Sequence, residues 1–229
     1  MCVDTRRVGS TKTTSIGVME RPPKETLERF HSYHKTDTDF AASARLLQSM
    51  WRERKKLPPM TIGSSIPTEL AKQNRANFLT DNIGRLVAEE ISNARGKGGL
   101  ISEPRIWDNL LSSQPLCFNL FGELHYDPEL ATLFFYTLFP EKVETVTKVR
   151  FEHSPGRGNK KYTGDNSAFD VFVDYVCGDK TGFIGIEVKY AESLKEESHK
   201  KAKDTFEKHK RNIPVGRQMI SSSLVPLTE

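Results

Sequence analysis

Apolar positions along the chain fall into two periodic regimes, helical up to Pro140 and strand-like beyond it. Residues 1–37 mix Thr, Ser, Pro and charges without periodicity, and Pro22-Pro23 interrupts any helix, so this part reads as a mobile arm. From Asp37 onward Phe40, Ala44, Leu47 and Trp51 recur at helical spacing until Pro58-Pro59, which predicts an amphipathic helix. A longer helix is expected from Pro67 through Ile83, Leu86, Val87 and Ile91 to the stop signal Gly96-Lys97-Gly98-Gly99. A third begins near Ile106, runs through Trp107, Leu110 and Leu111, and is broken at Ser112-Ser113-Gln114-Pro115. Asp127-Pro128-Glu129 reads as N-cap, first-turn proline and acidic first turn of a helix that passes Leu133, Phe134 and Leu138 and ends before Pro140.

Past Pro140 the period shortens to two. Glu144–Glu152 is rich in Val and Thr and predicts a strand. The connection Ser154–Ser167 carries Gly156, Gly158 and Gly164 among Arg157, Lys160 and Lys161, a basic and flexible link. Ala168–Cys177 and Thr181–Tyr190 predict two more strands, joined as a hairpin by Gly178-Asp179-Lys180. A charged helix is expected over 193–211. The element order places a helical extension at 38–105 before an α+β region at 106–229, and shows no internal repeat.

Composition changes this picture little. The 229 residues are 36% hydrophobic and 28% charged, enough for a core and incompatible with a wholly disordered chain. The longest apolar stretch, Leu130–Phe139, falls far short of the ~20 residues of a bilayer span, so a soluble, cytoplasmic protein without membrane contact is expected. Cys2, Cys117 and Cys177 form no CxxC pair, which speaks against a zinc knuckle or disulfide framework. With 34 Lys and Arg against 30 Asp and Glu, the net charge of +4 permits a nucleic-acid partner without requiring one.

The candidate chemistry lies in the hairpin. Strand alternation puts Phe169, Val171, Val173 and Tyr175 on one face of the first strand and Asp170, Phe172 and Asp174 on the other. In the second strand Ile184, Ile186, Val188 and Tyr190 oppose Gly185, Glu187 and Lys189. Pairing across the turn brings Asp170 near Glu187 and Lys189. Two carboxylates suit a hard divalent cation, with the Val188 carbonyl as a further oxygen donor. An adjacent ammonium can orient an attacking water and offset charge at phosphorus. The plainer reading is that Glu187 and Lys189 are solvated cross-strand charges of small energetic weight. Asp174 reads as a solvated strand residue.

Asp170 followed by Glu187-Val188-Lys189 in a strand after a turn resembles the motif of the PD-(D/E)XK nuclease superfamily. Glu-x-Lys occurs twice in the chain, and the other instance, Glu53-Arg54-Lys55, lies in a helix. The stretches Asn109–Gly122 and Gly182–Tyr190 also resemble an uncharacterised restriction-endonuclease-like subgroup, so the likeness spans Asn77–Glu192. It implies an α/β/α sandwich with a mixed sheet, a magnesium or manganese ion, and a nuclease acting on DNA. The site would be Asp170, Glu187 and Lys189, with Val188 as backbone ligand. Glu123 or Glu129 would be the acidic residue contributed by a preceding helix. Arg157, Lys160, Lys161, Ser113 and Gln114 become candidate contacts to nucleic acid; the alternatives are a solvated loop and a helix break. Set against that family core, the chain looks short at its C-terminal end, and the 193–211 helix lacks the Gln or Tyr many members carry there. A catalytically silent DNA-binding relative and a protein-interaction module are the competing functions. Oligomeric state, a homodimer included, is open.

Overall fold

The structure is a computed structural model that describes residues 20–94, 100–159 and 167–191. Seven helices and three strands occur among the described residues: α1 (Lys24–Arg29), α2 (Asp39–Arg54), α3 (Thr68–Asn74), α4 (Asp81–Ala94), α5 (Arg105–Asp108), α6 (Ser113–Tyr126), α7 (Pro128–Leu138), β1 (Thr145–His153), β2 (Phe169–Cys177) and β3 (Lys180–Ile186). The helix expected over 193–211 lies outside the described residues.

Short polar and backbone groups hold the N-terminal helices. Within the stretch read as an arm, Lys24–Arg29 folds as α1 and buries Leu27 completely. Thr38 caps α2 by accepting from Ala41 N at 3.2 Å. Of the stripe that periodicity selects, Ala44 is buried and Trp51 packs against the core, whereas Phe40 and Leu47 are exposed and Ala41, Ala42, Ser49 and Arg52 face inward instead. The reason is polar. Arg45 grips Asp37 through two hydrogen bonds of 2.7 and 2.9 Å, and Arg52 donates to Gly63 O and Leu57 O at 2.8 and 2.7 Å. These anchors fix the rotation of α2, and its alanines allow close approach.

The single long helix expected from Pro67 is two helices. Arg75 adopts a left-handed conformation (φ 49°) that ends α3, and Thr80 opens α4 by accepting from Ile83 N at 3.2 Å. Asn77 ties the joint to the α5 region through Ile106 O and Asn109 O at 3.1 and 3.2 Å. Ser112–Pro115 likewise starts a helix where a break was expected. Pro115 is the third residue of α6, in the first turn, where a missing N–H costs no intrahelical bond. The Asp127 signal reads true: its side chain accepts from Leu130 N at 2.9 Å and α7 ends at Leu138.

The three strands form one sheet in the order β1-β2-β3, antiparallel throughout. The mixed sheet that the resemblance implied is not seen among the described residues; between β2 and β3 a two-residue turn dictates antiparallel pairing. α6 and α7 cover one face. Phe118 stacks on Phe151 at 4.3 Å between ring centroids, and Phe135 and Ala131 of α7 are buried in the same core as Val149, Val171 and Val173. Ile66, Phe78, Ile83, Leu86 and Ile106 belong to that core too, so α4, α5 and the flanks of α3 share it with the sheet. On the other sheet face Phe172 stacks on Phe183 at 4.8 Å, and Arg150 lies over the Phe172 ring. No described helix is long and apolar enough to cross a membrane.

Candidate active site

The register of the sheet defines a row of acids. Phe151 pairs with Val171 and His153 with Phe169, which sets Glu152 opposite Asp170. Val171 pairs with Ile186, the last residue of β3, which sets Asp170 opposite Glu187. Glu152, Asp170 and Glu187 therefore stand side by side at the end of the sheet away from the β2–β3 turn.

Each is held differently. Asp170 Oδ2 accepts the backbone N–H of Val188 at 2.6 Å, so this carboxylate fastens the segment after β3 to β2. Val188 itself is buried in the core. Glu187 is exposed, and its Oε1 takes a hydrogen bond of 2.5 Å from Lys189 Nζ. Glu152 has a left-handed backbone (φ 46°), which breaks strand alternation. Its neighbours Arg150 and His153 meet each other at 3.0 Å on the Phe172 side of the sheet. The Glu152 carboxylate reaches instead to Gln114 Nε2 on α6, at 2.5 Å. Phe169 also departs from simple alternation, because its ring contacts Phe172 and Phe183 rather than the core face.

The floor of the site is α6. Gln114 is 7% exposed, and its amide is committed to Glu152, to Leu100 O and to Ser102 N. That placement corrects its reading as a nucleic-acid contact: a side chain buried behind the carboxylates presents nothing to a duplex. One turn along, Cys117 Sγ donates to the backbone carbonyl of Asp170 at 3.5 Å. Burial pushes the Cys117 thiol well above its ordinary value, and Asp170, Glu152 and Glu187 add to the push. Burial also raises the Glu152 carboxyl. The Gln114 hydrogen bond opposes that rise, while Asp170 and Glu187 reinforce it and Arg105 counters it.

Other expected residues lie elsewhere. Glu123 accepts from Thr80 Oγ1 and, at 3.3 Å, from Asn82 Nδ2, bracing the start of α4. Glu129 is exposed in the first turn of α7. Neither of these bonds joins the Asp170–Glu187 pair. Ser113 is half-buried at the start of α6, Arg157 is exposed in the β1–β2 connection, and Lys160 and Lys161 lie outside the described residues. Asp174 pairs with Arg150, which makes it a cross-strand ion-pair residue. Glu152 is the member of this acidic row that motif reading missed, and Gln114, read as a nucleic-acid contact, is its hydrogen-bond partner. The signal for Glu152 was its place at a strand end, but a glycine-rich connection leaves the β1–β2 register unspecified.

Chemically, the row offers carboxylate oxygens, hard donors that fit magnesium or manganese better than softer metals. Among the described residues no three His, Cys, Asp or Glu side chains are closed around one point; the Lys189 ammonium meets Glu187 and supplies the local positive charge. The hairpin thus ends in two facing acidic residues with a lysine beside them, on an α+β scaffold. The family model of the PD-(D/E)XK nuclease superfamily matches residues 35–225, and the chain belongs to that superfamily. The match covers α2 as well as the sheet, and so extends beyond Asn77–Glu192. No curated protein and no solved structure matches the chain.

Proposed function

We propose that this protein is a magnesium- or manganese-dependent nuclease that hydrolyses phosphodiester bonds of DNA. The observation that carries the reading is the juxtaposition of Asp170 with Glu187 and Lys189 at one end of the hairpin, in the order of the superfamily motif. Asp170, Glu187 and the Val188 carbonyl are the groups that would hold the ion, which when bound supplies Lewis acidity and charge neutralisation at the phosphate. The chain's own contributions are separable. Asp170, through Val188 N, fixes the main chain of the motif, so that Glu187 and Lys189 project from a defined point. Lys189, about half exposed, stands where solvent and a phosphate have access, and its ammonium orients the attacking water and offsets negative charge on the phosphorane. The water's oxygen forms the new bond to phosphorus as the leaving-group P–O bond breaks. Arg157, with Lys160 and Lys161, would contact the DNA backbone and make affinity salt-dependent.

The test is cleavage of mixed single- and double-stranded DNA substrates with magnesium or manganese, by wild type and Lys189→Ala. Loss of about 10²–10⁴-fold in rate is expected for the variant. Equal cleavage by both overturns the assignment. Binding of DNA by wild type with no turnover under either ion favours a silent relative, a reading supported by the committed Asp170–Val188 bond and the unclosed acid row.

A further inference from the structure

Helix α7 is apolar on every side, the composition of a helix that is buried all round. Ala131 and Phe135 are buried in the core, which accounts for one side of it. The opposite side carries Leu130, Leu133, Phe134 and Thr137 at i, i+3, i+4 and i+7, the spacing of a packing stripe, with Tyr136 and Leu138 on its flanks. The five large side chains there are 40% to 64% exposed, Leu133 most of all. The stripe has little need of water: Leu130–Pro140 contains no charged residue, and the Thr137 hydroxyl donates to Leu133 O at 2.8 Å. Phe134 is braced by Phe121 of α6, with ring centroids 6.2 Å apart. By contrast, the exposed Phe40 and Leu47 of α2 share their helix with Asp39, Arg45, Glu53 and Arg54, as scattered surface apolar residues do.

We propose that the outer face of α7 packs against the same face of a second copy of this chain, so that the protein is a two-fold homodimer. Area, charge and position choose that occupant. With roughly 200 Å² to a large apolar side chain, the five exposed residues present on the order of 500 Å² per copy, the upper end of what a monomer leaves open. Two such faces together remove on the order of 1,000 Å² from water, the size at which specific association begins. Copies of net charge +4 repel each other except where they meet without charge, and Leu130–Pro140 is such a place. The same stretch offers no cation to a nucleic acid, an acidic peptide or an anionic lipid surface. As for position, the described chain ends at Ala191, beyond β3, whereas α7 lies on β1 at the opposite edge of the sheet. The pairing is independent of the metal-dependent reading given under Proposed function.

Sedimentation equilibrium of the full chain tests this, on wild type, Leu133→Glu and, as a control on α2, Leu47→Glu. Wild type and L47E are expected to be dimers at micromolar concentration, and L133E to raise the dimer dissociation constant by about tenfold or more. The melting temperature of wild type should climb with protein concentration more steeply than that of L133E. Should L133E fail to fold, Leu133→Gln, which adds no charge, decides by the same measurement. A wild-type dimer that L133E leaves intact, or that L47E weakens as much, places the interface elsewhere and overturns the inference. A monomeric wild type overturns it as well. In that case an L133E that melts well below wild type assigns the cover of α7 to another part of the same chain, and one that melts with it shows the face to be uncovered.

Discussion

The two ends of the β2–β3 hairpin are built on the same ladder and solve opposite problems. At the turn end, Cys177 faces Lys180 across a two-residue connection, Gly178 adopts φ 55°, and its N–H is satisfied by Glu144 Oε2 at 2.8 Å. At the far end the ladder stops at Ile186, Glu152 takes a left-handed backbone, Phe169 crosses to the other face, and three carboxylates line up. The regular end fixes register, and register is what aligns the irregular end. Because strand side chains alternate, a one-residue slip at Gly178 would send Glu187 to the opposite face from Asp170. The alignment of the acidic residues is thus specified at a distance, by a turn that carries none of them.

The strongest way to break this contrast is to remove the packing beneath the irregular end. Phe118→Ala, which deletes the ring stacked on Phe151, should cost about 3–5 kcal/mol in chemical denaturation. A loss under about 1 kcal/mol would mean that the site end does not depend on α6. A finer test uses two glycines, one towards each end. A Cβ at Gly182 would meet the Tyr175 ring at 2.4 Å, and one at Gly185 the Phe169 ring at 2.5 Å. Alanine at either position should destabilise by about 1–3 kcal/mol through overpacking. Only Gly185→Ala should also depress DNA cleavage beyond its stability effect, since the displaced ring belongs to the residue before Asp170. Equal activity loss in both would erase the distinction between the ends.

The smallest expected effect lies outside both. Burial raises the Glu90 carboxyl above its ordinary range, with His125 pulling the other way. A raised folded value means that its stabilising contribution is present below the ordinary carboxylate value and is lost as pH rises through the raised one. Glu90→Gln should therefore gain on wild type in melting temperature as pH rises from the ordinary carboxylate value through the raised one. A constant difference across that range would contradict the assignment.

The legible and illegible parts of this molecule differ in how local their causes are. The hairpin and its facing Asp170 and Glu187 were readable because a short turn determines register over the whole ladder. Asp127-Pro128 was readable because a cap is a contact across three residues. Glu152 was not, since Ser154–Ser167 is long and glycine-rich and leaves the pairing of β1 to tertiary contacts. The split between α3 and α4 carries no glycine, and the residue that turns left-handed is Arg75 rather than Asn74 or Asn77 on either side of it; Asn77 docks on the α5 region. Gln114 looked like part of a helix break because Pro115 follows it, and its role depends on a partner 38 residues away. The rotation of α2 depended on Arg45 reaching the Asp37 carboxylate and Arg52 reaching main-chain oxygens, which hydrophobic periodicity does not weigh.

Cys117 carries a last consequence. Its sulfur is buried against the Asp170 carbonyl, with its thiolate disfavoured by burial and by three acids, whereas Cys177, near the turn, is only partly covered. A thiol held in its protonated form and out of solvent reacts with alkylating reagents only when its cover opens. The protein therefore carries an internal clock for the motion of α6 away from the sheet: the labelling rate at Cys117, set against that at Cys177, measures how often the floor of the site comes loose.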